Sequence, residues 1–449
     1  MLACPAAAYS EEMPNITDQD TETDALTAHN QRGTEAPNGA AGQAQAAWSG
    51  EVGQLPSVGP FLGRWLPGLI DFRRDLHQHP ELSYQEFRTT DRIVAELESV
   101  GLAPVRLKGT GCYVDIGRGP IAVGLRADID ALPIQEATGL AFSSVNDGVA
   151  HSCGHDVHTT VMVGVAKVLA DLDRSSSLAG RVRVLFQPAE EKLPGGALKV
   201  IEQGVLDGVP RMFALHCEPK VDVGHVGTRI GAITSASDTV RVHVSGMGGH
   251  TSRPHLTQDL VFAMAQIAVN VPAVMSRRVD VRSGVAVVWG EINAGIAPNA
   301  IPSRGTLAGT MRCLDADAWQ RAGALLDEVV GQVASPYGVD VEVEHIRGVP
   351  PVVNGEEETT LLENAARDEL GEDAVLLVEQ SMGGEDFAWY LQEVPGSMMR
   401  LGTRTPGGRT YDLHQADYIA DEEAIGCGIQ VMTNTALRAV LLHTREATR

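Results

Sequence analysis

Residues His151–Leu172 read HSCGHDVHTTVMVGVAKVLADL. Cys153, His155, Asp156 and His158 crowd together, and an apolar helical pattern follows at once. In an extended loop, residues i and i+2 project to the same side. Cys153 and His155 can therefore offer a thiolate and an imidazole to one metal ion or to a close pair. Taken singly, each of these residues is as well explained by a buried cysteine or a helix terminus, and Asp156 suits an N-cap. Reading the cluster as a metal centre requires partners from elsewhere in the chain.

Such partners occur at the ends of predicted strands. Arg181–Phe186 (RVRVLF) alternates as a strand and runs into Gln187–Glu191 (QPAEE). Pro188 ends the ladder there, because proline has no N–H to donate. Of the two adjacent carboxylates, one can ligate a metal while the other serves as general base toward a metal-activated water. An acidic chain also carries many solvated glutamate pairs, so placement at a strand end weighs in the decision. His216 closes the next apolar strand (Met212–His216), and His414 lies in the loop YDLHQADY. Asp128 and Asp130 in GLRADIDALP end a third strand at alternating positions. They are read as holding ligands in place rather than as ligands, with Arg126 close enough in sequence to make an ion-pair cluster of them.

The pattern around these residues alternates strand and helix. Helices are expected at Phe61–His77, Phe87–Val100 and Gly195–Gln203, and strands at Cys112–Ile116 and Ile121–Leu125. This order predicts an α/β fold with a mostly parallel sheet and helices on both faces. Functional residues are then expected at the carboxyl ends of strands. Near Ser235 the texture changes. Strands at 238–245, 284–292, 305–312 and 339–345 alternate with helices at 260–274 and 316–334, which predicts an inserted α+β unit. The first pattern then resumes, with helices at 357–369 and 385–392, strands at 374–378 and 397–401, and a last helix from about Asp421. Residues 1–55 lack apolar periodicity and are expected to be a disordered extension.

Composition narrows the class. With 449 residues, two or three domains are expected at roughly 150 residues each. The net charge of −23 argues against nucleic acid as a partner, since phosphate binding needs a basic field. No uninterrupted apolar run approaches ~18 residues, so no membrane span is expected. The six cysteines lack paired spacing, which fits a reduced, cytoplasmic setting better than a disulfide framework. The opening MLACPAAAYSEEMP has no basic segment and no sustained apolar stretch, and is not read as a signal peptide.

Taken in order, RRDLHQHPELSYQE, LRADIDALP, HSCGHDVHTT, FQPAEE, ALHCEP, GGHTSRPH, NAIPSRGTLAGTMR, GGEDFAWY and DLHQADY make the chain resemble a known family from about Phe61 onward. It is the amidohydrolase branch of the metallo-aminoacylase/carboxypeptidase family, which includes hippurate hydrolases and auxin–amino acid conjugate hydrolases. The resemblance implies a catalytic domain formed by residues 56–233 and 347–449, with a lid/dimerisation domain at 234–346. It places Cys153, His155, Glu191, His216 and His414 at metal-ligand positions and Glu190 at the general-base position. His250, in GGHTSRPH, matches a lid histidine that reaches the partner's active site in this family. Asp128 stands where relatives with carboxypeptidase activity have a ligand histidine, and Lys192 stands where similar sequences have a glycine-rich run.

The implied activity is hydrolysis of N-acyl or N-aroyl amino acids with two divalent ions, zinc or manganese, by a homodimer. Asp156 and His158 are expected to support the ligands. Asn299, Arg312 and Glu385 are candidate substrate contacts, and His77 and His79 are read as structural. A dipeptidase or carboxypeptidase-like activity is the alternative. An inactive binding protein of the same fold is disfavoured, because all five ligand positions and the base are filled.

Overall fold

The computed structural model describes residues 55–175 and 178–447. The expected disordered extension lies almost entirely outside the described residues, as does Cys4. In chain order come α1 (Gly59–Gln78), α2 (Phe87–Glu98), β1 (Val105–Arg106), β2 (Cys112–Gly117), β3 (Ile121–Asp128), α3 (His155–Arg174), β4 (Arg181–Gln187), α4 (Ala197–Ile201), β5 (Met212–Asp222), β6 (Val226–Thr228) and β7 (Gly231–Ala232). Then follow β8 (Ala236–Ser245), β9 (Gly249–His250), α5 (Leu260–Arg278), β10 (Ala286–Ala294), β11 (Ala300–Ile301), β12 (Arg304–Cys313), α6 (Ala316–Ala334) and β13 (Asp340–Val349). Last are β14 (Val353–Asn354), α7 (Glu356–Leu370), β15 (Val375–Leu377), α8 (Ala388–Glu393), β16 (Gly396–Arg404) and α9 (Glu423–Ala447).

An eight-stranded sheet in the order β1-β2-β4-β3-β5-β16-β6-β15 forms the first layer system. Its centre, β4-β3-β5-β16, is parallel throughout. Antiparallel strands flank it at β2 and β6. Every residue of β3 is buried, as expected for a central strand covered on both faces. On one face Met212, Ala214 and Met398 pack with Ala197 and Val200 of α4 and Ala388 and Tyr390 of α8. On the other, α3 and α9 close on the sheet. A Cβ on Gly428 of α9 would lie 2.8 Å from Val161 of α3 and 3.2 Å from Leu401 of β16, so glycine is needed for that approach. The fold is therefore α/β with a mostly parallel sheet, as its alternation of elements predicts.

A second, four-stranded antiparallel sheet, β10-β12-β8-β13, carries α5 and α6. Val240, Val242, Leu307 and Met311 meet Leu260, Ile267, Leu326 and Val330 in its core. By length and composition α5 and α9 are long and apolar enough to cross a membrane, although no uninterrupted apolar run suggests it. In this fold 72% of the apolar window of α9 is buried within the protein, and α5 buries one face on the four-stranded sheet.

Most element limits follow the sequence pattern, and the departures have local causes. The helix expected over 195–203 shrinks to α4, because Gly195 has φ +94° and the backbone of Gly196 packs against the Pro188 carbonyl. The helix expected from 385 begins at Ala388, because Glu385 and Asp386 turn inward to Arg126. Strand β5 runs on past His216 to Asp222, following β16. The short strands β7, β9, β11 and β14 carry too few residues to show alternation. The five cysteines among the described residues are all free.

Candidate metal centre

The four central parallel strands deliver the site. Asp128 ends β3, Gln187 ends β4 and leads into Glu190 and Glu191, while His216 on β5 is registered beside Arg400 on β16. The opening loop enters from above: Gly154 takes φ +86° and α3 starts at His155. No side chain caps this helix. Asp156, which suits an N-cap on sequence, instead lies in the first turn, 2.7 Å from Arg73 Nε and 2.8 Å from His77 Nδ1.

Each histidine has one ring nitrogen committed. His155 Nδ1 donates to the Asp130 carbonyl at 2.9 Å, and His216 Nδ1 to the Cys217 carbonyl at 2.8 Å. Both therefore turn Nε2 toward the other site residues, that of His216 lying 3.5 Å from Cys153 Sγ. His155 Nε2 is buried with no hydrogen-bond partner and lies 3.9 Å from Glu190 and 3.8 Å from Glu191. His158 differs: Nδ1 is 2.6 Å from Asp128 Oδ1, and Nε2 accepts from Cys217 N–H at 2.8 Å. With both nitrogens occupied it has none to offer an ion.

Two aspartates hold this arrangement. Asp130 accepts from the backbone N–H of Glu190 at 3.1 Å and of Glu191 at 3.0 Å, and from Ser83 Oγ at 2.7 Å. Asp128 joins His158 to Arg126, whose guanidinium also bonds Gln187 and Asp386. Glu385 lies 3.0 Å from Arg126 and accepts from Phe387 N–H, leaving Oε2 buried and unpaired. Arg126 forms the ion-pair cluster its place in the sequence allows, while Gln187 and Glu86, which accepts from Ala189 N–H at 2.8 Å, carry no ligand-like spacing and were not singled out by sequence. Ala189 (φ +57°) and His414 (φ +61°) adopt the left-handed conformation that L-residues avoid, at a cost of roughly 1–2 kcal/mol each. His414 N–H bonds the Ser152 carbonyl at 2.9 Å, and its Nε2 stands 3.2 Å from Glu191 Oε1. That oxygen nevertheless lacks a hydrogen bond of proper geometry.

The side chains meet in a cavity of about 520 Å³ lined by Cys153, Glu190, Glu191, His216, Glu385 and His414, with Arg312 and Arg400 also in its wall. Donor atoms of Cys153, His155 and His216 lie within 4.8 Å of one another, and so do those of Cys153, Glu191 and His414. Cys153 belongs to both groups. His250 and Asn299 lie outside this lining, on the exposed β9–β11 ladder and the loop before it. Arg312 reaches the cavity with one nitrogen on the Met382 carbonyl at 2.7 Å.

Electrostatics agree with a cation site. Burial, reinforced by Glu385, Glu191, Asp386 and Asp128, holds the Glu190 carboxyl well above its usual range. Burial and the same acidic surroundings raise the Cys153 thiol. Burial opposes a charge on His155, but Asp128, Asp130 and Glu191 outweigh it and raise its pKa to about 10. Burial, then Arg400 and His158, lower that of His216. Burial and the crowded negative charge favour the protonated forms of Glu190 and Cys153, and divalent cations would displace those protons. Thiolate, imidazole and carboxylate donors, with His155 Nε2 buried and without a hydrogen-bond partner, fit such ions.

Comparison with known proteins agrees. Residues 124–438 match the family model described as peptidase family M20/M25/M40. A protein of Rhodococcus jostii named for glutamate–cysteine ligase is 44% identical over 81% of this chain, but the match spans only 46% of that protein's length. The N-acetyl-L-cysteine deacetylase of Bacillus subtilis is 39% identical over 80% of this chain and 84% of its own. Among solved structures, a Bacillus subtilis dinuclear metal-binding peptidase of the M20 family superposes with a TM-score of 0.74 and 34% identity, covering 84% of this chain and 99% of that one. The chain belongs to peptidase family M20/M25/M40, as a metal-dependent hydrolase of amide bonds whose cofactors are divalent ions.

Proposed function

We propose that the protein hydrolyses the amide bond of N-acyl or N-aroyl amino acids, with Cys153, His155, Glu191, His216 and His414 holding two ions, zinc or manganese, and Glu190 as general base. The observation that carries this reading is the buried, unpartnered His155 Nε2 facing Glu190 and Glu191, both of which line the cavity. Ions held there supply Lewis acidity to the scissile carbonyl and acidify the attacking water. Glu190 takes the proton of that water and hands it to the leaving nitrogen. Asp130 holds the backbone of both glutamates and the ring of His155, so acceptor and ligands stay in register. His158 and Asp128 stiffen the Cys217 peptide beside His216. Cys153 belongs to both donor groups, so its thiolate would help to hold the ions.

The block 234–346 is proposed as a lid that pairs two subunits, bringing His250 of one protomer to the scissile carbonyl in the other. Asn299 and Arg312 are assigned to the substrate carboxylate, and a cytoplasmic location is part of the same reading. A dipeptidase or carboxypeptidase-like activity remains the second reading, since relatives named thermostable carboxypeptidase are 33% identical to this chain. The test loads purified protein with zinc or manganese and compares N-acyl amino acids with dipeptides. The Glu190→Gln protein should keep its metal content and lose turnover; full activity in that variant overturns the assignment of the base.

A further inference from the structure

Five arginines among the described residues are at least nine-tenths buried: Arg73, Arg126, Arg183, Arg211 and Arg400. Four have carboxylate partners. Arg73 meets Asp156, Arg126 meets Asp128, Arg183 meets Asp115, and Arg211 meets Glu358. Arg400 is 6% exposed, yet its side chain makes no hydrogen bond and no ion pair with a described residue. A guanidinium has five N–H donors and cannot shed its charge in a protein. None of its nitrogens is sealed from water, so the guanidinium meets the cavities with its donors unspent and open to an anion.

Its position supplies the use. Arg400 lies in the middle of β16, the fourth of the central parallel strands. It is registered opposite His216 and lies on the same face of the sheet. It lines the cavity of the metal centre and also an adjoining cavity of about 390 Å³. The two share Ser381, Arg400, Asp412 and Leu413. The acids of the first cavity, Glu190, Glu191, Glu385 and Asp412, all lie beyond ion-pair distance from it.

We propose that Arg400 is a substrate-binding residue that grips a carboxylate of the substrate, making the substrates N-acyl amino acids anchored by a bidentate guanidinium–carboxylate pair at the boundary of the two cavities. This rests on the N-acyl amino acid reading of the site. The carboxylate has two sources: the α-carboxylate of the amino acid, or a second one on its side chain or acyl group. Arg312, assigned above to the substrate carboxylate, spends one nitrogen on the Met382 carbonyl, so Arg400 shares the α-carboxylate with it or holds the second one.

The experiment compares wild type with Arg400→Gln, both metal-loaded, on N-acetyl-L-alanine, N-acetyl-L-alaninamide, N-acetyl-L-glutamate and N-succinyl-L-alanine. If the α-carboxylate is gripped, KM rises about 10- to 100-fold for the three acids, as expected for a lost charged hydrogen-bond pair, and stays unchanged for the amide. If a second carboxylate is gripped, KM rises only for N-acetyl-L-glutamate or N-succinyl-L-alanine. An equal change on all four compounds, or none on any, overturns the proposal. Arg400→Lys should recover part of the loss. Thermal stability supplies a check that a structural arginine would fail: Arg400→Met should melt at or above the wild-type temperature, and a clear drop counts against a ligand-directed charge. If wild type cleaves none of the four, the functional reading fails. Calorimetric titration with succinate then tests Arg400 alone, with about tenfold weaker binding expected in Arg400→Gln and equal binding overturning the proposal.

Discussion

Gly154→Ala is the substitution whose effect the structure defines most fully. Gly154 sits between Cys153 and His155 at φ +86°, where an L-residue costs roughly 1–2 kcal/mol. Its new Cβ would lie 2.8 Å from Cys217 Sγ, 3.1 Å from Cys217 Cβ and 3.2 Å from Tyr418 Oη. Cys217 and Tyr418 are themselves buried, so relief requires the loop to move, which adds about 1–3 kcal/mol of overpacking. The expected total is about 2–5 kcal/mol, read by urea unfolding in the presence of EDTA. Because the displaced loop carries two of the assigned ligands, metal affinity should also fall by about 10- to 100-fold in a competition titration. Adding Cys217→Ala removes the closest contact but neither the strain nor the Cβ at 3.1 Å. The double variant should therefore recover part of the stability and less of the affinity. A Gly154→Ala protein within about 0.5 kcal/mol of wild type, with unchanged affinity, would falsify the account of this loop.

Other outcomes follow from the surrounding networks. Arg126→Met leaves Asp128 and Asp386 buried without their cation and should destabilise the protein by about 3–5 kcal/mol, measured by the same unfolding assay; a neutral result counts against Arg126 as the hub of the network. Burial works against the charge of Glu136, but hydrogen bonds from His77, Thr138 and the Ser144 N–H hold its pKa at about 2. A depressed carboxylate contributes stability above its unfolded pKa of about 4.5 and loses it as pH falls toward about 2. The stability gap between wild type and Glu136→Gln should thus be constant above pH 5 and shrink below it; a gap independent of pH contradicts the assignment. His250→Ala should cut turnover while leaving metal content intact, and should be complemented in mixed dimers with Glu190→Gln subunits. Absence of complementation speaks against a contribution across subunits.

The division between what sequence shows and what folding adds is visible residue by residue. Strand alternation in RVRVLF and the apolar repeat after His155 are local, because side-chain direction follows the period of the element itself. These patterns gave the parallel sheet and placed the candidate residues at strand ends. The choice among neighbouring ligands was not local. Only the folded chain gives His158 two hydrogen-bond partners and leaves His155 Nε2 without one. Likewise Asp156 turns to Arg73 and His77, both far back in the chain, instead of capping its own helix.

By itself the sequence determined the alternation of elements, the inserted α+β block and the cluster of ligand-type side chains, since each is carried by short-range pattern and residue chemistry. Tertiary structure alone decided which atoms remain unpaired. Glu86, Gln187 and Arg400 have no distinctive spacing, and their importance appears only once the fold fixes their partners or leaves them without one. In water an arginine with no carboxylate beside it is ordinary. On β16, lining two cavities without a protein partner, it becomes a set of unspent donors, and that difference comes from where the fold places the strand rather than from any pattern in the chain.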